Sequence, residues 1–201
     1  MLLHYSPTSP FVRKVRVFVH EAGLADQVAI APVDGWAEPD LLTADNPLSM
    51  VPTLVLDDGT SLYDSPVICE YLDRQHAGPR MIPESDETRW RVLRQHALAD
   101  GMLDSAVAVF VELYKRPEEM RWDWWLDIKR RAIRRSLDVL ESQVDELEGR
   151  VDLGTITVAV ALGYLDLRGA VGEWRDAHPR LAAWFAGFAQ RPSMIATAPP
   201  V

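Results

Sequence analysis

The stretch SMVPTLVLDDGTSLYDSPVICEYL, residues 49–72, decides how the first part of this chain folds. Residues 53–56 are apolar and β-branched, which predicts a strand, and this strand begins directly after Val51-Pro52. Because proline cannot donate a hydrogen bond to a neighbouring strand, the start of this strand leaves backbone groups unpaired. The N–H and C=O of Val51 are therefore candidates to pair with an extended peptide, as an added strand would.

The same stretch continues into a hairpin and a helix. Asp58-Gly59 is a turn signal that leads to a second strand over 61–63. Ser65-Pro66 then begins a helix, since serine favours the N-cap and proline the first helical position. The helix start favours an anion, so a carboxylate can lie against Ser65 while Asp64 takes an ammonium group. These are the two charges of an amino acid. The alternative is that Asp64 and Ser65 only cap the helix.

Strands and helices alternate in the rest of the first 77 residues. A strand is predicted over 2–5, and a helix begins at Ser9-Pro10 and ends at Gly23. A further strand is predicted over 28–33. The order is β-α-β followed by β-β-α, and we predict an α/β domain over 1–77.

The strands stop after the linker that contains Gly78-Pro79. Helical apolar patterns then cover residues 86–115, 118–148, 152–170 and 179–190. We therefore predict an all-helical domain over 84–201, which follows the α/β domain.

The composition excludes several classes of partner and location. The 201 residues are 48% hydrophobic and 25% charged, with a net charge of −9, so a nucleic-acid partner is not expected. The dense basic stretch at 129–131 fits the wet face of a helix. No uncharged run approaches a membrane span, and Arg13 and Arg16 interrupt the first apolar stretch, so we expect no signal peptide and no membrane contact. The single cysteine, Cys69, indicates a reducing compartment, and we predict a cytoplasmic protein.

Four segments together resemble the cytosolic glutathione transferase superfamily, and the resemblance covers essentially the whole chain. They are SPTSPFVRKVRV at 6–17, NPLSMVPTLVLDDGTSLYDSPVICEYL at 46–72, ALGYLDLR at 161–168 and HPRLAAWFAGFAQRPS at 178–193. The resemblance implies a thioredoxin-like domain that binds glutathione, then an all-α domain that contributes the acceptor-substrate site. It also implies a homodimer that conjugates glutathione to small hydrophobic electrophiles, a detoxification role typical of bacterial members.

The resemblance assigns the glutathione-binding residues one by one. Val51 pairs with the cysteinyl backbone of glutathione, and the Val51-Pro52 bond is expected to be cis. Asp64 and Ser65 hold the γ-glutamyl head, and Phe11 lies in the same site. Asp100 is expected to approach the glutathione of the partner subunit.

Two departures from the family pattern stand out. Relatives often have a lysine before Val-Pro that reaches the glycine carboxylate of glutathione, whereas this chain has Met50. A later helix of the family begins with a Ser/Thr-x-x-Asp capping box, whereas here Asp152 comes first and Thr155 follows three residues on. Because aspartate is a good N-cap, we expect the helix to form and only the reciprocal bond to weaken.

Ser9 is the candidate that activates the glutathione thiol. Ser9-Pro10-Phe11 resembles the omega-like Cys-Pro-Phe start of the family, with serine in place of cysteine. A cysteine there would form mixed disulfides and favour reductase chemistry, whereas a serine hydroxyl only donates to the sulfur. Ser6 and Thr8 are alternative donors, and a further alternative is that Ser9 only caps the helix. The predicted reaction is conjugation or isomerisation, and a glutathione-dependent thiol reductase is the least favoured function.

Three tryptophans, Trp122, Trp124 and Trp125, are candidates for the acceptor site. They cannot all face one core, so at least one is available to a ligand, although packing between helices or subunits is an equal alternative. Cys69 is expected to be a small buried thiol, and the five histidines show no metal-ligand spacing, so no metal is predicted. A non-catalytic glutathione-binding or scaffold protein of the same fold remains the alternative function.

Overall fold

The computed structural model describes residues 1–38 and 40–200, without the side chain of Asp86; Pro39 and Val201, the last residue of the predicted helical domain, lie outside the described residues. The chain forms two compact units. The first contains residues 1–86 together with the segment that begins at Pro192. The second runs from Glu87 to Arg191. The prediction had assigned residues 192–200 to the helical domain, whereas they belong to the first unit.

The first unit is a mixed four-stranded sheet with helices. Its elements, in chain order, are β1 (Leu2–Tyr5), α1 (Pro10–Glu21), a 3-10 turn (Ala25–Gln27), β2 (Ala29–Pro32), β3 (Thr53–Val55), β4 (Ser61–Leu62) and α2 (Ser65–Asp73). The strand order is β2-β1-β3-β4. β1 pairs with β2 in parallel and with β3 antiparallel, and β3 pairs with β4 antiparallel. This is the predicted thioredoxin-like arrangement.

The core of this unit lies between the sheet and the helices α1 and α2. Fully buried side chains come from β1, α1, β3 and α2, namely Leu3, Val15, Phe18, Leu54, Ile68 and Leu72. Burial of each such side chain stabilises the fold by about 1.5–3 kcal/mol. The positions of the two helix starts are therefore fixed by a packed core.

The second unit is helical, as predicted. It consists of α3 (Asp86–Tyr114), whose first residue belongs to the first unit, then α4 (Asp123–Ser142), α5 (Leu153–Arg168) and α6 (Pro179–Phe188); α7 (Pro192–Ala196) belongs to the first unit. In the helices of residues 1–38 and 40–200, none combines the length and apolarity needed to cross a bilayer.

The predicted helix over 118–148 is shorter in the structure. α4 begins only at Asp123, after a 3-10 turn at Glu118–Met120, and a second 3-10 turn at Val144–Glu146 follows its end. The buried carboxylate of Glu112 accepts the N–H of Trp122 at 2.8 Å. A side chain from α3 thus caps the start of α4, where no local capping residue stands.

The start of α5 contains a complete capping box. Asp152 Oδ1 accepts the N–H of Thr155, and Thr155 Oγ1 accepts the N–H of Asp152, both at 3.0 Å. The expectation that the reciprocal bond would weaken is therefore wrong, because Thr155 Oγ1 makes this bond at an ordinary hydrogen-bond distance. Glycine is favoured at position 154, because a Cβ there would lie 3.0 Å from the carbonyl oxygen of Val92, closer than an ordinary contact.

Candidate functional site

The strand register brings three predicted site segments to one edge of the sheet. His4 pairs with Thr53, so residues 51–52, which precede β3, lie beside the end of β1 and the 6–9 turn that follows it. Leu54 pairs with Leu62, so residues 63–65, which follow β4, emerge at the same edge. The hydroxyl-bearing turn, the Val-Pro segment and the start of α2 therefore converge.

Val51 presents backbone groups that the sheet does not use. The ladder between β1 and β3 stops at Thr53, and across residues 1–38 and 40–200 neither the N–H nor the C=O of Val51 makes a backbone hydrogen bond. The Val51-Pro52 bond is cis, as predicted, and the Tyr63-Asp64 bond is also cis. One donor and one acceptor at residue 51 suit the backbone of an extended peptide.

A buried polar network that the sequence analysis missed holds the turn before Val51. Asn46 Nδ2 donates to the carbonyl oxygen of Met50 at 3.1 Å and to Thr53 Oγ1 at 3.0 Å. Thr53 Oγ1 also donates to the Met50 carbonyl at 2.8 Å, and Asn46 Oδ1 accepts the N–H of Leu48. Asn46 and Thr53 are 1% and 0% exposed. The signal in the sequence was Asn46-Pro47, a turn-forming pair.

Asp64 is the N-cap residue of α2 but does not cap the helix with its side chain. Its carboxylate is exposed and accepts no capping hydrogen bond from the described first turn of α2. Ser65 next to it is buried, and the first turn of α2 contains no acidic residue. The Asp64 carboxylate is thus available for a cation, while the backbone N–H groups of the first turn attract an anion.

Ser9 is the N-cap residue of α1, as predicted. Its Oγ accepts the N–H of Val12 at 3.4 Å, and its own N–H donates to the carbonyl oxygen of Ser6 at 3.1 Å. A hydroxyl that accepts one bond retains its proton for donation. Ser6 and Thr8 lie in the same turn and are half-buried like Ser9. All three remain candidate donors.

Phe11 stands in the first turn of α1. It is half-buried, and Lys14 Nζ lies 5.7 Å from the centroid of its ring. Cys69 in α2 is buried and forms no disulfide, as predicted for a small buried thiol. Among the residues that the structure describes, no three His, Cys, Asp or Glu side chains group as metal ligands.

The three predicted acceptor-site tryptophans, in the second unit, differ in their exposure. Trp122 and Trp124 are 59% and 55% exposed and stack on each other, with ring centroids 4.7 Å apart. Trp125 is half-buried, and Lys129 Nζ lies 4.3 Å from its ring centroid. The structure thus presents two of the three rings to solvent.

Asp100, the predicted contact to a partner subunit, lies on α3. Its Oδ2 is 4.0 Å from Nε2 of His96, whose Nδ1 is 3.0 Å from the hydroxyl of Thr157. His96 and Thr157 are buried, whereas Asp100 is half-buried. Asp100 therefore sits at the rim of a polar contact between α3 and α5.

Comparison with known proteins gives a consistent result. Residues 8–75 match the family model of the glutathione S-transferase N-terminal domain, and residues 123–187 match that of the C-terminal domain. The uncharacterized GST-like protein YibF of Escherichia coli K12 is 34% identical, over 100% of this chain and 99% of that protein.

Two solved structures of a glutathione transferase family member from Pseudomonas fluorescens Pf-5 are also similar. One contains bound glutathione; it is 49% identical, with a TM-score of 0.96, over 100% of this chain and 99% of that chain. The other contains bound S-(propanoic acid)-glutathione; it is 48% identical, with a TM-score of 0.92, over 100% of both chains. With both domain models matched and relatives aligned along its full length, this chain belongs to the glutathione S-transferase family.

Proposed function

We propose that this protein is a glutathione transferase, which binds glutathione at the sheet edge and activates its thiol for attack on a small hydrophobic electrophile. The observation that carries the proposal is the exposed Asp64 carboxylate, which makes no capping bond at the start of α2, beside backbone groups of Val51 that make no backbone hydrogen bond within residues 1–38 and 40–200. The relative from Pseudomonas fluorescens, solved with bound glutathione, supports the same ligand.

The γ-glutamyl head would bind at the start of α2. Its ammonium group pairs with the Asp64 carboxylate, and its carboxylate accepts hydrogen bonds from Ser65. The positive end of the α2 dipole adds to this attraction, since no acidic residue in the first turn opposes it. These charge-assisted bonds are the stronger class of protein hydrogen bond.

The middle of glutathione would lie along Val51. The cysteinyl N–H and C=O pair with the C=O and N–H of Val51, which places the thiol toward the 6–9 turn. Phe11 adds an apolar wall in this region. The buried network of Asn46 and Thr53 keeps the segment in position, because it fixes the carbonyl of Met50 immediately before Val51.

The thiol would be activated by Ser9 at the start of α1. A free thiol has a pKa of about 8.5, and the thiolate is the reactive form. A hydroxyl donor and a helix N-terminus both favour the thiolate. In the reaction, the thiolate attacks an electrophilic carbon and a C–S bond forms. With an aryl chloride, the C–Cl bond breaks, chloride leaves with the electron pair and the thiol proton passes to solvent.

The acceptor would bind against the helical unit. Trp122 and Trp124 supply an exposed aromatic surface, and Trp125 lies in the same stretch. The relative solved with S-(propanoic acid)-glutathione supports conjugates that carry a carboxylate. We further infer a cytoplasmic homodimer in which Asp100 faces the glutathione of the partner subunit, as in the family.

A non-catalytic glutathione-binding protein is the second candidate. Met50, 59% exposed, replaces the lysine that would reach the glycine carboxylate, and loss of such a contact weakens binding by about 1–2 kcal/mol in a partly wet site. A protein with weak glutathione binding and no thiol activation would keep the same fold.

Calorimetric titration with glutathione and a conjugation assay with an aryl chloride distinguish these functions. Saturable binding together with release of chloride above the uncatalysed rate supports a transferase. Binding without rate enhancement supports the non-catalytic alternative. Absence of binding, for a protein with a normal thermal transition, would exclude both.

A further inference from the structure

A histidine and an aspartate connect β1 to the segment 40–50, which directly precedes Val51. His4 Nε2 and Asp45 Oδ2 are 2.9 Å apart, although the residues are 41 positions apart in the chain. Because an ionised carboxylate only accepts hydrogen bonds, Nε2 carries a proton and donates the bond to Asp45. The side chains are 15% and 38% exposed, so water competes little for this bond on the histidine side. We call these two residues the His4–Asp45 pair.

The strand register places His4 on the same face of the sheet as the polar network under Val51. Leu3 is fully buried in the core that the sheet forms with α1 and α2. Successive side chains of a strand alternate between faces, so His4 points to the other face. His4 also pairs directly with Thr53 of β3, and residues directly opposite in an antiparallel pair share a face. His4 and Thr53 are therefore cross-strand neighbours.

These two neighbours hold consecutive residues of the segment. His4 donates to Asp45, and Thr53 Oγ1 accepts a hydrogen bond from Asn46 Nδ2 at 3.0 Å. Asn46 Nδ2 also donates to the carbonyl oxygen of Met50 at 3.1 Å. The segment is thus bound to the sheet at two adjacent positions, and the second of them fixes the carbonyl immediately before residue 51.

A turn makes the two attachment points move together. The N–H groups of Asp45 and Asn46 both donate to the carbonyl oxygen of Leu42, at 3.0 and 2.7 Å, and the N–H of Ser49 donates to the carbonyl oxygen of Asn46 at 2.8 Å. Leu42 itself is buried. A displacement of Asp45 is therefore transmitted to Asn46 and to the residues that lead into Val51.

We propose that His4 and Asp45 are positioning residues for glutathione: the pair keeps the segment 40–50 on the sheet, so that Val51 presents its backbone groups to the cysteinyl part of the ligand. This inference rests on the proposed function, because it concerns the same site. Without the bond, the free protein spends part of its time with the segment displaced. Since only the competent fraction binds, the apparent affinity for glutathione falls.

A purely structural role for His4 makes a different prediction. If the pair only stabilises the fold, its loss lowers the melting temperature of the unliganded protein. The folded molecules would still hold Val51 in place, and their affinity for glutathione would not change.

The test compares two amide substitutions at position 4. His4→Gln places an amide donor near the position of Nε2 and so retains the bond to Asp45. His4→Asn places its amide near the position of Nδ1, which is buried and has no hydrogen-bond partner within residues 1–38 and 40–200. Asp45→Ala removes the acceptor. Asp40→Ala is the matched control, because it removes the same charge from an exposed position of the same segment.

Calorimetry measures the glutathione dissociation constant of each protein, and thermal denaturation without ligand measures its stability. His4→Asn and Asp45→Ala should each raise the dissociation constant by about twofold to tenfold, the range for one net hydrogen bond. The double variant should bind no more weakly than either single variant, because both changes remove the same bond. His4→Gln and Asp40→Ala should bind like the wild type. In unliganded His4→Asn, amide hydrogen exchange at Asn46 should be faster than in the wild type, as expected for a displaced segment.

Four outcomes overturn the inference. These are an unchanged affinity in Asp45→Ala, whatever its melting temperature; additive losses in the double variant; equal losses in His4→Gln and His4→Asn; and a loss of the same size in Asp40→Ala. Asp45→Ala alters a half-buried site and tests the pair if His4→Asn folds poorly. Glutathione binding by the wild type that these changes leave intact rejects the positioning role but not the transferase. Absence of binding by the wild type rejects the proposed function, and the positioning role with it.

Discussion

Replacement of Asp64 separates a binding role from a capping role. An N-cap side chain that bonds the first turn stabilises a protein by about 0.5–2 kcal/mol, so its removal would lower the melting temperature. In the structure, however, the Asp64 side chain makes no capping bond to the described residues of α2. Asp64→Ala should therefore change the free energy of unfolding by less than about 0.5 kcal/mol, as for an ordinary surface site.

Glutathione binding should respond much more strongly to the same change. A hydrogen bond to a charged group contributes about 1.5–3 kcal/mol, so the dissociation constant should rise between about tenfold and 150-fold. Asp64→Asn, which preserves the shape without the charge, should show most of this effect.

Calorimetry with glutathione and thermal denaturation of the unliganded protein measure the two quantities. Asp26→Ala is the control, since this exposed carboxylate precedes β2 and lies at the opposite edge of the sheet. A lower melting temperature with an unchanged dissociation constant would refute the reasoning, because it would show that Asp64 is only a cap.

Three further predictions concern the scaffold and the chemistry of the site. Asn46→Ala removes buried hydrogen bonds to Leu48, Met50 and Thr53. Urea denaturation should show that the free energy of unfolding falls by about 2–3 kcal/mol, at about 1 kcal/mol per bond, and glutathione affinity should fall as well. An unchanged glutathione affinity would show that Asn46 does not position the Val51 segment. Asp152→Ala removes one side of the capping box and should reduce stability by about 1 kcal/mol without changing glutathione affinity in calorimetry. Ser9→Cys places a thiol at a helix N-terminus, so a disulfide reduction assay with glutathione should show thiol-transfer activity that the wild type lacks. A cysteine variant that binds glutathione but is inactive in this assay would argue against a site at the start of α1.

The sequence predicted the elements whose signals are local. Residues 49–72 contain a strand, a turn, a second strand and a capped helix in succession, and each begins at a proline, a glycine or an N-cap residue. β3 and β4 therefore begin at the predicted residues, and the pairing of β3 with β1 and with β4 brings residues 51 and 64 together. The N-cap of α2 is Asp64 and not the predicted Ser65, which is already the first helical residue.

The start of α4 could not be read from local signals. The helical pattern over 118–148 continues through Trp122, which adopts an extended backbone conformation, and the group that caps the helix is the Glu112 side chain from α3. Contacts of this kind depend on which helices pack together, and periodicity does not specify that.

The network under Val51 shows an intermediate case. Asn46-Pro47 marked a turn, but the sequence did not show that Asn46 reaches forward to Thr53 across the Val-Pro segment. A buried amide that spans seven residues is specified by the packing around it, because its hydrogen bonds become valuable only when water is excluded.

The central claim is that this protein lowers the pKa of the glutathione thiol through Ser9, and the ultraviolet absorbance of the bound thiolate, titrated against pH, tests it most directly. In the wild type, the bound thiol should titrate about two units below the free value of about 8.5, and in Ser9→Ala its pKa should rise by about one to two units, or about 1.4–2.7 kcal/mol. The capping bond to Val12 is long, at 3.4 Å, so the variant should remain folded. Ser6→Ala and Thr8→Ala, matched changes in the same turn, should titrate like the wild type. Identical curves for the wild type and Ser9→Ala would contradict the claim.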